Sequence, residues 1–150
     1  MTPTAPPTPA DLLDHLARAA AAYYRHFADV ASRHGLTLMQ GKTLSLLSRP
    51  MPMRGLAGLL GCDTSNVTGI VDRLQARGLL RREVDPTDRR VKNVRLTGQG
   101  EQAVQRIRAE LMSGLTGLEH LDREDRLALQ RLLTRVFPAT GAAEAPVTAG

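Results

Sequence analysis

Residues 63–96, DTSNVTGIVDRLQARGLLRREVDPTDRRVKNVRL, change period halfway along, and that change decides the fold. In the first half Val67, Ile70, Val71 and Leu74 recur at the spacing of one helix face, with Asp63 placed as N-cap and Gly78 as the C-terminal exit. In the second half Leu79 to Val84 and Val91 to Leu96 read as strands. The polar run Asp85-Pro86-Thr87-Asp88-Arg89-Arg90 joins them and makes a β-hairpin with a charged tip. A helix that runs directly into such a hairpin predicts a wing.

The chain's excess charge lies in the same region. Arg49 to Arg95 holds ten Lys/Arg against five Asp/Glu, a surplus equal to the formal +5 of all 150 residues, because the remainder carries ten of each sign. A basic patch confined to a helix and hairpin points to a polyanionic partner, double-stranded DNA. Arg outnumbers Lys eighteen to two, but genome composition produces that skew as readily as phosphate binding does.

Upstream, Leu12, Leu13, Leu16, Ala20, Tyr23, Phe27 and Val30 predict an amphipathic helix over Asp11 to His34, capped by Asp11 and stopped by Gly35. A second helix covers about Thr37 to Leu47 with Leu38, Leu44 and Leu47 inward. Pro50 and Pro52 then break the chain before a short helix, Met53 to Leu60. Downstream, Thr97 reads as an N-cap ahead of Val104, Ile107, Leu111, Leu115 and Leu118. Asp122 caps a last helix carrying Leu127, Leu129, Leu132, Leu133 and Phe137. The expected fold is mainly α with a small β-hairpin wing, in the order α, α, α, α, β, β, α, α.

Residues 11–137 are expected to form one domain: a winged-helix lobe at about 37–97, flanked by helices at about 11–34 and 98–137. Residues 1–10 and 138–150, rich in Pro, Ala, Thr and Gly, lack the apolar surface to offset the entropy of ordering and are expected to be disordered tails. The terminal helices carry more apolar surface than a thin core covers, which predicts an isologous homodimer through them. The alternative is that these stripes complete an intramolecular bundle.

Several function classes find no support. No apolar run reaches the length of a membrane span and residues 1–9 lack the features of a signal peptide, so no membrane partner is expected and the expected location is cytoplasmic. The single cysteine, Cys62, excludes an internal disulfide. His15, His26, His34 and His120 lack a tight ligand spacing, so neither a metal nor any other cofactor is expected. Gly35 to Thr43 imitates a phosphate-binding loop, but five residues separate its glycines where that motif has four, and it follows a helix instead of a strand. No nucleophile elbow is present, and no constellation supports catalysis.

Residues 88–100, DRRVKNVRLTGQG, resemble the wing signature of the MarR (multiple-antibiotic-resistance regulator) family: Asp-x-Arg, a strand, then Leu-Thr-x-x-Gly. Leu56-Ala57 and Val67 to Leu74, running on to Gly78-Leu79, are similar to that family's helix-turn-helix. The resemblance spans roughly Asp11 to Phe137. It implies a winged helix-turn-helix transcription factor, dimeric through its terminal helices, whose hold on DNA changes with a small molecule or oxidant. It also implies repression, since a dimer on a promoter palindrome blocks polymerase.

Within this frame Thr64, Ser65, Asn66 and Thr68 stand where a recognition helix reads bases. Asn66 is the best single reader, because Asn pairs bidentately with adenine. Gly69 contributes no side chain, so its backbone can approach DNA closely. Ordinary capping is the alternative role for the residues at the start of this helix. Arg73 and Arg77 suit phosphates, unless Asp72 or Glu83 neutralises them.

On the wing, Arg90 is the minor-groove candidate with Asp88 holding it in place, and Arg89, Lys92 and Arg95 suit the flanking phosphates. A solvated charged turn is the alternative. Cys62, between the two helices of the motif, offers a redox trigger, or simply a small apolar residue. Tyr23, Tyr24 and Phe27, near His26, mark a possible pocket for a small aromatic or anionic effector, or helical core. A winged-helix module for protein contact, without specific DNA binding, is the rival from another class.

Overall fold

The computed structural model describes residues 5–138. Helix α1 (Pro9–Arg33) begins two residues before the expected Asp11. Thr8 is the N-cap, Pro9 takes the first helical position, and Asp11 is the third residue of a capping box. The Asp11 carboxylate accepts from Thr8 N–H at 2.9 Å while Thr8 Oγ1 accepts from Asp11 N–H at 3.2 Å. The Thr8 hydroxyl also donates to the Asp11 carboxylate at 2.7 Å, and this bond first, with that from Thr8 N–H, favours the ionised form and holds Asp11 below the usual carboxylate range. The tail expected over 1–10 is therefore helical at 9 and 10, and residues 1–4 lie outside the described residues.

After the left-handed turn at Gly35, α2 (Leu38–Leu46) opens on a second capping box, Thr37 with Gln40. Strand β1 (Met51–Pro52) follows, then α3 (Met53–Leu60) and α4 (Thr64–Ala76). The hairpin is β2 (Leu80–Val84) and β3 (Lys92–Leu96), paired from Leu80↔Leu96 to Val84↔Lys92. The sheet has three strands in the order β1-β3-β2, where the sequence predicted two. Pro50 and Pro52 were expected only to break the chain. In fact Met51 and Pro52 pair with Val94 and Asn93. Pro52 lacks an N–H and is tolerated because β1 is an edge strand.

Helix α5 (Gly98–Gly114) packs on α1, α2 and β3. The core beneath α2, α3 and α4 is made of Leu44, Leu56, Val67, Val71, Leu74, Leu80 and Val94, with Val30 and Ile107 joining it from α1 and α5. Of the apolar stripe on α1, Phe27 and Val30 are buried, whereas Leu12 and Leu13 are 55% and 65% exposed in the single chain.

Gly100 shows why the Leu-Thr-x-x-Gly run is built as it is. The Thr97 hydroxyl donates to the Gly78 carbonyl at 2.6 Å and accepts from Gly100 N–H at 3.1 Å, so the expected cap also ties α5 to the exit of α4. A Cβ on Gly100 would stand 1.9 Å from the Leu79 carbonyl oxygen.

The chain divides into two compact units, through Gly114 and from Leu115 onward. The apolar run through Leu115 and Leu118, expected to continue α5, instead leaves it: Leu115 is the N-cap of a separate short helix, α6 (Thr116–Glu119), which holds Leu118. Gly114 ends α5 where a Cβ would collide with the His26 ring. In the second unit α7 (Arg123–Val136) is capped by Asp122, as expected, and leaves Leu127, Leu129, Leu132, Leu133 and Phe137 exposed. The tail expected from 138 lies outside the described residues except for Pro138.

Candidate nucleic-acid interface

Helix α4 is fixed by its apolar side and open on the other. Val67, Val71 and Leu74 are fully buried, which leaves Thr64, Ser65, Asn66, Thr68 and Arg73 exposed. Asp63 caps the helix, with Oδ1 accepting from Asn66 N–H at 2.8 Å and from Ser65 Oγ at 2.7 Å. The Ser65 hydroxyl, more than the Asn66 amide, lowers the Asp63 pKa. Thr68 Oγ1 donates to the Thr64 carbonyl at 2.8 Å. Both hydroxyls have thus committed their protons within the chain and offer acceptor lone pairs outward. The Asn66 side-chain amide makes no hydrogen bond among the described residues, and a Cβ on Gly69 would meet nothing within 4 Å.

The wing is held by one carboxylate. Asp85 Oδ1 accepts from Thr87 N–H at 2.8 Å, Thr87 Oγ1 at 2.6 Å and Asp88 N–H at 3.1 Å, and Oδ2 accepts from Asn93 Nδ2 at 2.7 Å. These donors, the Thr87 hydroxyl first, keep Asp85 ionised far below the ordinary range. Asp88 holds Arg90 through the backbone, accepting from Arg90 N–H at 2.9 Å. No side-chain bond from Asp88 to the Arg90 guanidinium is present among the described residues, so that group stays available.

The cations divide sharply. Arg77 donates to the carbonyls of Gly35 at 2.7 Å and His34 at 3.3 Å, clamping the turn between α1 and α2, which sets it apart from the phosphate role expected of it. Asp72 pairs with Arg82 at 2.6 Å, and Arg82 also donates to Gln75 at 2.6 Å, joining β2 to α4. Glu83 lies 3.7 Å from Arg81 and 3.5 Å from Arg95, so Arg95 is partly neutralised. Arg73, Arg89, Arg90 and Lys92 are exposed and form no ion pair among the described residues.

An open cleft of about 680 Å³ lies between wing and helices, lined by Pro52, Met53, Arg54, Thr64, Arg90, Val91 and Lys92. Arg54 was missed in the sequence. Its only signal was a place in the basic third, and what brings it beside the wing is the pairing of β1 with β3.

The two expected triggers are placed differently. Tyr23 and Tyr24 are partly exposed and meet edge-on at 5.4 Å, Tyr23 meets Phe27 at 6.0 Å, and Lys42 Nζ stands 4.8 Å from the Tyr24 ring centre. Burial raises the Tyr23 phenol pKa, Tyr24 adds to that, and Arg108 opposes it. Phe27 itself is core. Cys62 is half-buried against the same core. Among the described residues no three His, Cys, Asp or Glu side chains are grouped to hold a metal, and no helix is long and apolar enough to cross a membrane.

A model of the MarR family matches residues 36–92, from the end of the α1–α2 turn through the wing tip. A putative transcriptional regulatory protein for the hcr operon of Thauera aromatica is 32% identical over 101 residues, covering 65% of this chain and 61% of that one. Wild-type MarR from E. coli, in its apo form, is 27% identical over 89% of this chain and 99% of its own, with a TM-score of 0.62. NadR in complex with 4-hydroxyphenylacetate is 25% identical over 91% and 96%, with a TM-score of 0.72. The chain spans 61% and 49% of the lengths of the two curated relatives it matches. With the wing, the helix-turn-helix and the flanking helices all in this order, the chain carries a MarR-family match at residues 36–92 and is similar along its length to solved members of that family, which are transcriptional regulators and not enzymes.

Proposed function

We propose that the protein is a homodimeric, sequence-specific DNA-binding regulator in the cytoplasm that represses a promoter palindrome until a signal releases it. The observation that carries this reading is the division of charge. Asp72 and Glu83 pair with Arg82, Arg81 and Arg95, while Arg73, Arg89, Arg90 and Lys92 form no ion pair among the described residues and Asn66 stays exposed. Asn66 reads a base, Thr64, Ser65 and Thr68 support it with acceptor oxygens, and Arg90 enters the minor groove. The winged-helix lobe at about 37–97 does this work, and the exposed leucines of α1 and α7 supply the contact between protomers.

The signal is a small aromatic anion held near Tyr23, Tyr24 and Phe27, where Lys42 supplies a positive charge. The 4-hydroxyphenylacetate bound by NadR has that chemistry. An oxidant acting at Cys62 is the second trigger. It requires that peroxide weaken DNA binding by the wild type and leave Cys62→Ser unaffected.

Selection of duplexes from a random pool by purified protein tests the main reading. The expected product is a two-fold-symmetric consensus with half-sites about 10 bp apart. No enrichment, or binding without salt or sequence dependence, would favour a protein-contact module instead.

A further inference from the structure

Three segments distant in sequence line the cleft under the wing: Pro52 to Arg54 at the start of α3, Thr64 at the start of α4, and Arg90 to Lys92 on the wing. Three of its lining side chains, Arg54, Arg90 and Lys92, are cationic and none is acidic. All three are exposed and without an ion pair among the described residues. The carboxylates nearest in sequence are engaged elsewhere: Asp63 with Ser65 and Asn66, Asp85 with Thr87 and Asn93, Asp88 with the Arg90 amide. Like charges converging on one opening with no counter-charge repel one another, and the arrangement is relieved by an anion shared between them. The cleft adjoins Thr64, at the end of the recognition helix that meets DNA, so the anion at hand there is the DNA backbone.

We infer that this cleft seats a backbone phosphodiester of the bound duplex, and that Arg54 is a DNA-binding residue gripping that phosphate opposite Lys92, while Arg90, which lines the same cleft, goes on to the minor groove. Wing and first helix of the motif then hold one strand between them, and Arg54 fixes register without reading sequence. This rests on the DNA-binding reading above.

The test uses the full chain and the duplex that it selects from a random pool. Arg54→Ala, which removes one contact from each of two protomers, is expected to weaken binding at least about tenfold on selected and unrelated duplexes alike, and to lower the salt slope by about two units. Arg106→Ala, which removes the same charge outside the cleft, is expected to leave the slope unchanged. Duplexes carrying one neutral methylphosphonate at successive positions locate the contact. The substitution that abolishes the effect of Arg54→Ala is expected to abolish that of Lys92→Ala as well, and the double variant to lose less than the product of the singles. Wild-type affinity and slope in Arg54→Ala, with duplex binding intact, overturn the inference alone. Neutralisation of the two variants at different phosphates overturns the shared seat. No duplex binding by the wild type removes the DNA reading and this inference together.

Discussion

Replacing Gly100 by Ala sets two known effects against each other. In an open helix the change stabilises by about 1 kcal/mol, because Ala gives up less backbone entropy than Gly. Here the added Cβ would stand 1.9 Å from the Leu79 carbonyl oxygen, where real contacts stay beyond 3.0 Å, so the start of α5 must move from the α4–β2 junction by about 1 Å. That obstacle is backbone and cannot rotate aside. The shift stretches the bonds that cross the junction: Thr97 N–H to Leu79 O at 3.1 Å, and the Thr97 hydroxyl to Gly78 O at 2.6 Å. Each contributes about 1 kcal/mol, and overpacking adds roughly 1–3 kcal/mol. After the helix-propensity gain, Gly100→Ala should destabilise by roughly 3 kcal/mol, a large share of the ~5–15 kcal/mol that a domain has. Urea unfolding at fixed protein concentration measures it, since a dimer's midpoint depends on concentration. Gly58→Ala is the control: a Cβ there meets nothing within 4 Å, and the variant should gain about 0.5–1 kcal/mol. A Gly100→Ala protein within about 1 kcal/mol of the wild type would refute the packing argument.

Arg77→Ala should cost stability, about 1 kcal/mol for two exposed bonds to carbonyls, and leave the salt slope of DNA binding unchanged. A lowered slope would return Arg77 to the phosphate contacts. Asp85 has a folded pKa depressed by its donors, so its contribution to wing order is complete above the ordinary value near pH 4 and is lost as pH falls below it. An NMR titration should show the Asp85 carboxyl still ionised well below about pH 4, and a midpoint at the ordinary value would mean the knot does not hold in solution. Gly69→Ala should raise the unfolding midpoint, since α4 has room for a Cβ, and should weaken operator binding where the backbone lies close to DNA. Unchanged affinity would show that the backbone keeps its distance.

What could be read from the chain was what is local. Asp63, the Val67–Val71–Leu74 face and Gly78 specify α4 through short-range caps and periodicity, and the structure has them in those roles. The partners of the arginines depend on which segments come together across tens of residues. Arg77 looks like any basic helix end until the α1–α2 turn is beneath it, and Arg82, passed over in the sequence, turns out to answer Asp72. Strand β1 is too short to carry a period, and without it Arg54 has no reason to stand beside the wing. Thr8 was overlooked as a cap because Pro9 reads as tail, although proline at the first helical position fits there. The leucines of α7 show the opposite case: the stripe is evident in sequence, but nothing within one chain tells what covers it.

The salt dependence of binding to the selected duplex tests the central claim most directly. Arg54, Arg73, Arg89 and Lys92, taken from each of two protomers, give on the order of eight phosphate contacts, so a plot of log K against log salt should fall with a slope of about −7. The slope should keep that sign and size in Asn66→Ala while preference for the consensus drops. A slope near zero, or equal affinity for all duplexes, would contradict a sequence-reading DNA-binding protein held by these unneutralised cations.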